Sequence, residues 1–312
     1  MSGDSPLDEM ADGTGNAKPH WRSLLSTMFA LGHETLAQRA TLLDQAFAEE
    51  GITAILPGER AVNWRCDPIP LLISAPEFAA RLDEMTGELR FRELRGAFLT
   101  LAAERVPDLE AGAFLLSRFV RPNADPGVYR LWLDRVALAV SDGIPDDAST
   151  AEAVKRLSAH LFQSMGFAGN ETNYYDPDNS CLSRVIDTRR GIPVTLSILY
   201  LLVAKRLKLP VYGVGTPGHF LLGFREGGDA HFLDAFRHGR MLEASAVRRM
   251  LVRNGYEFRP EYLKPSGPRE ILARMMRNLL SIYQKTGAAG RAEKLSVLVE
   301  IIVTGRVPVD DE

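Results

Sequence analysis

A chain of 312 residues that is 46% hydrophobic and 25% charged has the composition of an ordinary globular protein, long enough for more than one hydrophobic core. Its formal charge of -3 argues against nucleic acid as the main partner, because phosphate binding needs a concentrated basic face. Two cysteines, Cys66 and Cys181, make neither a disulfide framework nor a paired metal motif, and point to a reducing compartment.

Met1 to Pro19 is acidic and glycine-rich and lacks a basic stretch followed by an apolar run, so residues 1–20 read as a disordered tail and not as a secretory signal. From Trp21 to about Gly51, Leu24, Leu25, Met28, Phe29, Leu36, Leu42, Leu43 and Phe47 recur near three and four, the spacing of an amphipathic helix. Pro57-Gly58 and Asp67-Pro68-Ile69-Pro70 break that period. Residues 52–74 are therefore connection, with a short extended segment through Leu71-Leu72-Ile73. Four helices are expected next, over 77–85, 89–103, 109–119 and 127–140, with Pro107, Pro122, Pro126 and Pro145 between or after them. Together these make a helical N-terminal region over 21–145. Another helix, 151–165, opens behind Ser149-Thr150 as a cap.

A core is expected over 146–264. Asn170 to Asn179 is a loop, Ser180 to Thr188 a short helix, and Arg190-Gly191-Ile192-Pro193 a sharp connection. Pro193 suits the first position of a helix, where its fixed φ is already helical and its missing N–H costs nothing. The helix that follows, Val194 to Leu207, is apolar on nearly every side and must be buried. Its most apolar stretch is about half the ~20 residues that span a bilayer, so no membrane partner is expected and the protein reads as cytoplasmic. Three short strands follow, 211–214, 220–224 and 230–234, the last two joined through Glu226-Gly227-Gly228-Asp229 as a hairpin. A mostly helical chain with a small antiparallel sheet against a buried helix is an α+β fold. Arg269 to Lys285 and Ala289 to Thr304 form an αα-hairpin across Thr286-Gly287-Ala288, a single tetratricopeptide-like unit within 265–312. Basic pairs such as Lys205-Arg206 and Arg248-Arg249 read as solvated faces.

His219 opens a strand behind Pro217-Gly218, and Asp234 closes the strand expected to pair with it. Antiparallel pairing would set them side by side, and a carboxylate next to imidazole fixes its tautomer and stabilises the imidazolium. The alternative is a histidine that satisfies a carbonyl at a turn. A nucleophile is harder to find. A thiol at the start of a buried helix is activated by free N–H groups and the helix dipole, but here that helix starts with Pro193. Thr195 in its first turn, and Ser180 and Cys181 at the preceding short helix, are the remaining candidates, each with a bland reading as a local hydrogen-bonding or buried residue. His231, Asp234 and His238 match no defined metal motif, and His231 should face away from Asp234. No metal and no cofactor are expected.

The stretch Tyr174-Tyr175-Asp176-Pro177-Asp178-Asn179-Ser180, then Arg190-Gly191-Ile192-Pro193-Val194-Thr195-Leu196, Gly213-Val214, Pro217-Gly218-His219-Phe220-Leu221 and Asp234-Ala235-Phe236, resembles the SirB1 family, also called the transglutaminase-like/TPR family. The likeness is dense over about 110 to 304. It implies a transglutaminase-like core distantly similar to papain-type cysteine enzymes, whose active members carry a Cys-His-Asp triad, with His219 at the histidine and Asp234 at the acid. The Gly-x-Cys that starts the catalytic helix in active relatives falls on Gly191-Ile192-Pro193, and SirB1-like members commonly share this Gly-Ile-Pro. Cys181 stands where relatives usually carry an aromatic residue, and Ala235 replaces the usual proline.

Three readings follow. One is a domain without the cysteine nucleophile that binds a peptide or protein partner in a cleft formed by Asn179, Arg190, Gly191, Pro193, Pro217 and Gly218 around His219. Another is an active hydrolase or acyltransferase using Thr195, Ser180 or Cys181 with the His219-Asp234 dyad. A third makes the pair a packing device.

Overall fold

The computed structural model describes residues 75–306 continuously. Before them it describes Arg22, Ser26, Gln38, Thr41 and Gln45, each helical, and strands β1 (Thr53–Ala54) and β2 (Val62–Asn63), which pair antiparallel. The tail over 1–20, most of the helix expected from Trp21, the segment 71–73 and Cys66 lie outside the described residues. The chain divides into two compact units, Met1–Gly87 and Glu88–Glu312, and the candidate chemistry lies in the second. No helix among the described residues is long and apolar enough to cross a membrane.

Helix α1 (Ala75–Ala103) is one element where two were expected. Gly87 does not take the positive φ of a helix C-cap, and an interior glycine weakens a helix by only about 1 kcal/mol relative to alanine. Helices α2 (Leu109–Val120), α3 (Pro126–Ser141) and α4 (Thr150–Ser158) each start on a side-chain cap, from Asp108, Asp125 and Ser149. Ser149 and Glu152 form a reciprocal capping box, which satisfies two otherwise orphaned N–H groups. The expected continuation to Met165 is a π-helical turn, Ala159–Ser164. The short helix expected from Ser180 is split into a 3-10 turn, Pro177–Ser180, and α5 (Leu182–Thr188), with Cys181 between them.

Helix α6 (Pro193–Arg206) is the centre of the core. Leu196, Ile198, Leu199, Leu202 and Val203 are all at most 1% exposed, and burial of such side chains is worth about 1.5–3 kcal/mol each. With no polar face, α6 is covered all round, by α3, α5, α8 and the sheet. Tyr200, fully buried in it, donates its hydroxyl to the Val154 carbonyl at 2.9 Å, and burial pushes its phenol well above the usual range. At the other end, Arg206 was expected to be solvated. It is instead paired with Glu110 at 2.7 Å and Asp134 at 2.5 Å, which ties the C-terminus of α6 to α2 and α3 and places a cation where the helix dipole favours one.

The sheet is antiparallel in the order β5 (Tyr212–Thr216), β6 (His219–Glu226), β7 (Asp229–Asp234), β8 (Arg240–Leu242). Two parallel strands, β3 (Ala168–Gly169) and β4 (Arg190–Gly191), make a separate small pair. Alternation along β6 sends Phe220, Leu222 and Phe224 to the α6 side, and Leu221 to a second small core with Val214, Phe232, and Val247 and Leu251 of α7 (Ala244–Arg253). The sheet is therefore covered on both faces. Neither β8 nor α7 was expected, since β8 is three residues long and α7 buries only two side chains.

Helices α8 (Pro268–Lys285) and α9 (Ala289–Thr304) form the expected hairpin, turning through Gly287 at φ 73°. Arg269 at the start of α8 donates to the carbonyls of Ile302, Ala102 and Glu104, so one guanidinium caps the ends of α9 and α1 together. Where α2 meets α8, a Cβ added at Gly112 would stand 2.5 Å from Leu272 Cδ1. Gly112→Val is expected to lower stability by about 1–3 kcal/mol through overpacking. Gly96→Ala, whose Cβ would meet nothing within 4 Å, should be neutral or gain up to about 1 kcal/mol. Denaturant midpoints test the pair, and a Gly112→Val chain as stable as wild type would contradict this packing.

Candidate functional site

The turn Thr216-Pro217-Gly218-His219 sets the histidine. Gly218 takes φ 70°, which follows proline naturally in a tight turn, and Thr216 Oγ1 donates to the His219 carbonyl at 2.8 Å. His219 thus opens the interior strand β6 at one end of the sheet, while Asp234 ends β7. The register pairs Leu222 with Leu233, so the two are diagonal neighbours on one face, side by side as expected. Their side chains close the gap: Nε2 of His219 lies 2.8 Å from Oδ2 of Asp234.

Asp234 is held in turn from behind, its Oδ1 accepting the backbone N–H groups of Phe236 at 3.0 Å and Arg237 at 3.2 Å. Both carboxylate oxygens are occupied in a site where the side chain is only 7% exposed. An ionised carboxylate can only accept, so Nε2 carries the proton and the lone pair of the neutral ring is on Nδ1. That is the tautomer of a general base, and Nδ1 makes no hydrogen bond among the described residues.

The surroundings hold this pair in place. Phe236 meets the His219 ring edge-on at 6.3 Å, and Tyr174 meets Phe236 edge-on at 6.1 Å. Gly169 of β3 makes room for the Phe236 ring, which any Cβ there would strike. Tyr174 arrives on a loop pinned by Asn179, whose Nδ2 donates to the carbonyls of Asn173 and Tyr174 and whose Oδ1 accepts from Asn170. Asn179, expected to line the cleft, is buried and organises that loop. On the far side, Arg274 of α8 donates to the His219 carbonyl at 2.8 Å and lies over the Phe220 ring. Burial pushes its guanidinium below the ordinary arginine range.

His219 lines two cavities. One, of about 750 Å³, is walled by Tyr174, Pro193, Val194, Gly218 and Arg274. The other, of about 690 Å³, lies over Asp234. Pro193, the first residue of α6, is placed there by the parallel pairing of β4 with β3, in which the Asn170 N–H bonds the Gly191 carbonyl at 3.0 Å. Arg190 stands apart, its guanidinium on the carbonyls of Gly166 and Arg189. Pro217 shapes the turn.

The candidate nucleophiles make no hydrogen bond to the histidine among the described residues. Thr195, Ser180 and Cys181 are each 0% exposed. Cys181 Sγ lies 3.2 Å from Ser183 Oγ and 3.8 Å from the Ser117 carbonyl. The hydroxyls of Thr195 and Ser180 have no partner among the described residues. His231 stacks on Phe224, on the opposite face from Asp234.

Sequence reasoning missed Tyr174 as a cleft wall and Arg274 as the anchor of the strand start. Arg274 acts on a backbone carbonyl, which no motif encodes. Because Asp234 answers two backbone N–H groups, Asp234→Ala should cost about 1–3 kcal/mol. His219→Ala, at the cavity edge, should cost less. Equal unfolding midpoints for the two variants would contradict this division.

Residues 128–277 match the family model described as the transglutaminase-like superfamily. A UPF0162 protein of Xylella fastidiosa (strain 9a5c) is 31% identical over 207 residues, covering 64% of this chain and 73% of that protein. A UPF0162 protein of Pseudomonas aeruginosa is 30% identical over 196 residues, covering 62% and 71%. F-box only protein 21 of Mus musculus is 31% identical over 145 residues, which is 44% of this chain and 23% of that protein. No solved structure matches. The extent of the bacterial likenesses decides the family: this chain belongs to the UPF0162 family and carries a transglutaminase-like domain.

Proposed function

We propose that this chain is a SirB1-like binding module that holds a peptide segment of a protein partner in the cleft around His219 and performs no thiol chemistry. One observation carries the reading. The first turn of α6, where a thiol would be activated, presents Pro193 to the cavity, while Thr195, Ser180 and Cys181 are fully buried and none hydrogen-bonds His219.

The cavity suits a peptide. Tyr174, Pro193, Val194 and Phe220 supply apolar surface, while the larger, polar part of the lining, with Glu270, Arg274, Arg277, Asn278 and His219, offers charged and hydrogen-bonding groups to the backbone and side chains of a peptide. Its opposite wall comes from α8, which makes the tetratricopeptide-like α8–α9 hairpin part of the contact surface. An active hydrolase or acyltransferase is the competing reading, favoured by the intact His219-Asp234 pair and by the partnerless Thr195 hydroxyl. It requires Thr195 to reach Nδ1.

Selection of displayed peptides against the full chain tests the proposal. Binders are expected whose affinity falls at least about tenfold in His219→Ala, the scale of losing one desolvated polar contact. Failure to enrich any peptide, indifference to His219→Ala, or cleavage or transfer of a bound peptide would overturn it.

A second test probes the vacancy. In Pro193→Cys the new thiol would stand at a helix N-terminus beside His219, so its alkylation, resolved by mass spectrometry, should be at least about tenfold faster than that of Cys181 and should slow when His219→Ala is added. A rate no faster than that of Cys181 would show that residue 193 is not in the cavity.

A further inference from the structure

The second cavity beside His219 has an unusual wall. Arg240 of β8 is directly across the ladder from Asp234. Above them, Arg249 and Arg253 are one turn apart on the same face of α7, and both line the cavity with Arg240 and Arg237. Asp234 is the one carboxylate among the lining residues, and its two oxygens are already taken by His219 and by the Phe236 and Arg237 N–H groups. Arg237 is paired with Glu171 at 2.7 Å. The side chains of Arg240, Arg249 and Arg253 have neither ion pair nor hydrogen bond among the described residues.

Three guanidinium groups lining one cavity, whose single carboxylate is already engaged by His219 and two backbone N–H groups, repel one another. In a chain of net charge -3 this is a local reversal of sign. Each guanidinium presents a planar fork of donors that matches carboxylate or phosphate oxygens two at a time, so an oxyanion would relieve the repulsion and meet several donors at once. A single concave cavity also fits a lone oxyanion better than a nucleic-acid backbone, which needs an extended basic face.

The geometry points to this cavity as a binding site for an oxyanion, a carboxylate or phosphate group. The reading of the His219 cleft as a peptide site supplies only the carrier: because His219 borders both cavities, a peptide in the first can place an acidic or phosphorylated side chain in the second. Arg248, on the same helix, was read with Arg249 as a solvated face. It is exposed, lies over the Phe258 ring and is outside the cavity lining, which makes it a control.

The test is fluorescence anisotropy of the full chain with a glutamate-rich labelled peptide, its glutamine counterpart and its phosphoserine counterpart. At low salt, wild type should bind at least one of the two anionic peptides at least about tenfold more tightly than the glutamine peptide. Whichever of them binds more tightly identifies the oxyanion. The advantage should shrink as salt rises, disappear in the exposed double variant Arg249→Gln/Arg253→Gln with its unfolding midpoint unchanged, and persist in Arg248→Gln. Equal binding of the glutamine peptide, no binding of any peptide by wild type, or an advantage that survives the double variant would overturn the site. An advantage lost in the double variant but undiminished in His219→Ala would leave the oxyanion site standing and sink the cleft around His219 as the peptide site.

Discussion

A helix with no polar side has to be surrounded, and that constraint organises the second unit of this protein. Helix α6 meets it with α3 and α5, with α8, and with the inward face of the sheet. Each covering element then acquires a fixed position relative to the start of α6. The sheet brings the beginning of β6 there and α8 brings Arg274, while the β3–β4 pair delivers Pro193 itself. The cleft is the gap left where these coverings meet at one end of a buried rod.

What borders that gap is a histidine whose position is fixed from several sides. Asp234 is braced by two backbone N–H groups before it meets Nε2, the His219 carbonyl is held by Thr216 and Arg274, and Phe236 and Tyr174 wall the ring. Such bracing fixes tautomer and ring direction, which serves recognition of a ligand donor as well as it serves proton transfer. The hydroxyls of Thr195 and Ser180 and the Cys181 thiol are fully buried and make no hydrogen bond to the ring among the described residues. The arrangement is that of a cavity bordered by a braced imidazole.

The legible parts of the fold were those with a local signature. Pro193 at a helix start, the Ser149 cap, the Gly227-Gly228 turn and the all-round apolarity of α6 each follow from a few adjacent residues. His219 and Asp234 were found because strand ends that pair bring side chains together, here as diagonal neighbours. The illegible parts depend on partners distant in the chain. Arg274 binds a carbonyl of another element, Arg206 proved to be an ion-pair hub for α2 and α3, and α7 and β8 are too short to announce themselves. Arg240, Arg249 and Arg253 look like ordinary surface charge until β8 and α7 are folded over Asp234.

His219 is held by Asp234 through Nε2, which carries the proton when the ring is neutral and leaves the lone pair on Nδ1. Nitrogen-15 NMR of the imidazole ring in the full chain, with the ring neutral, measures this directly. The account predicts a single tautomer protonated at Nε2, lost in Asp234→Asn. A ring protonated at Nδ1, or one averaging between tautomers in the wild-type chain, would contradict it.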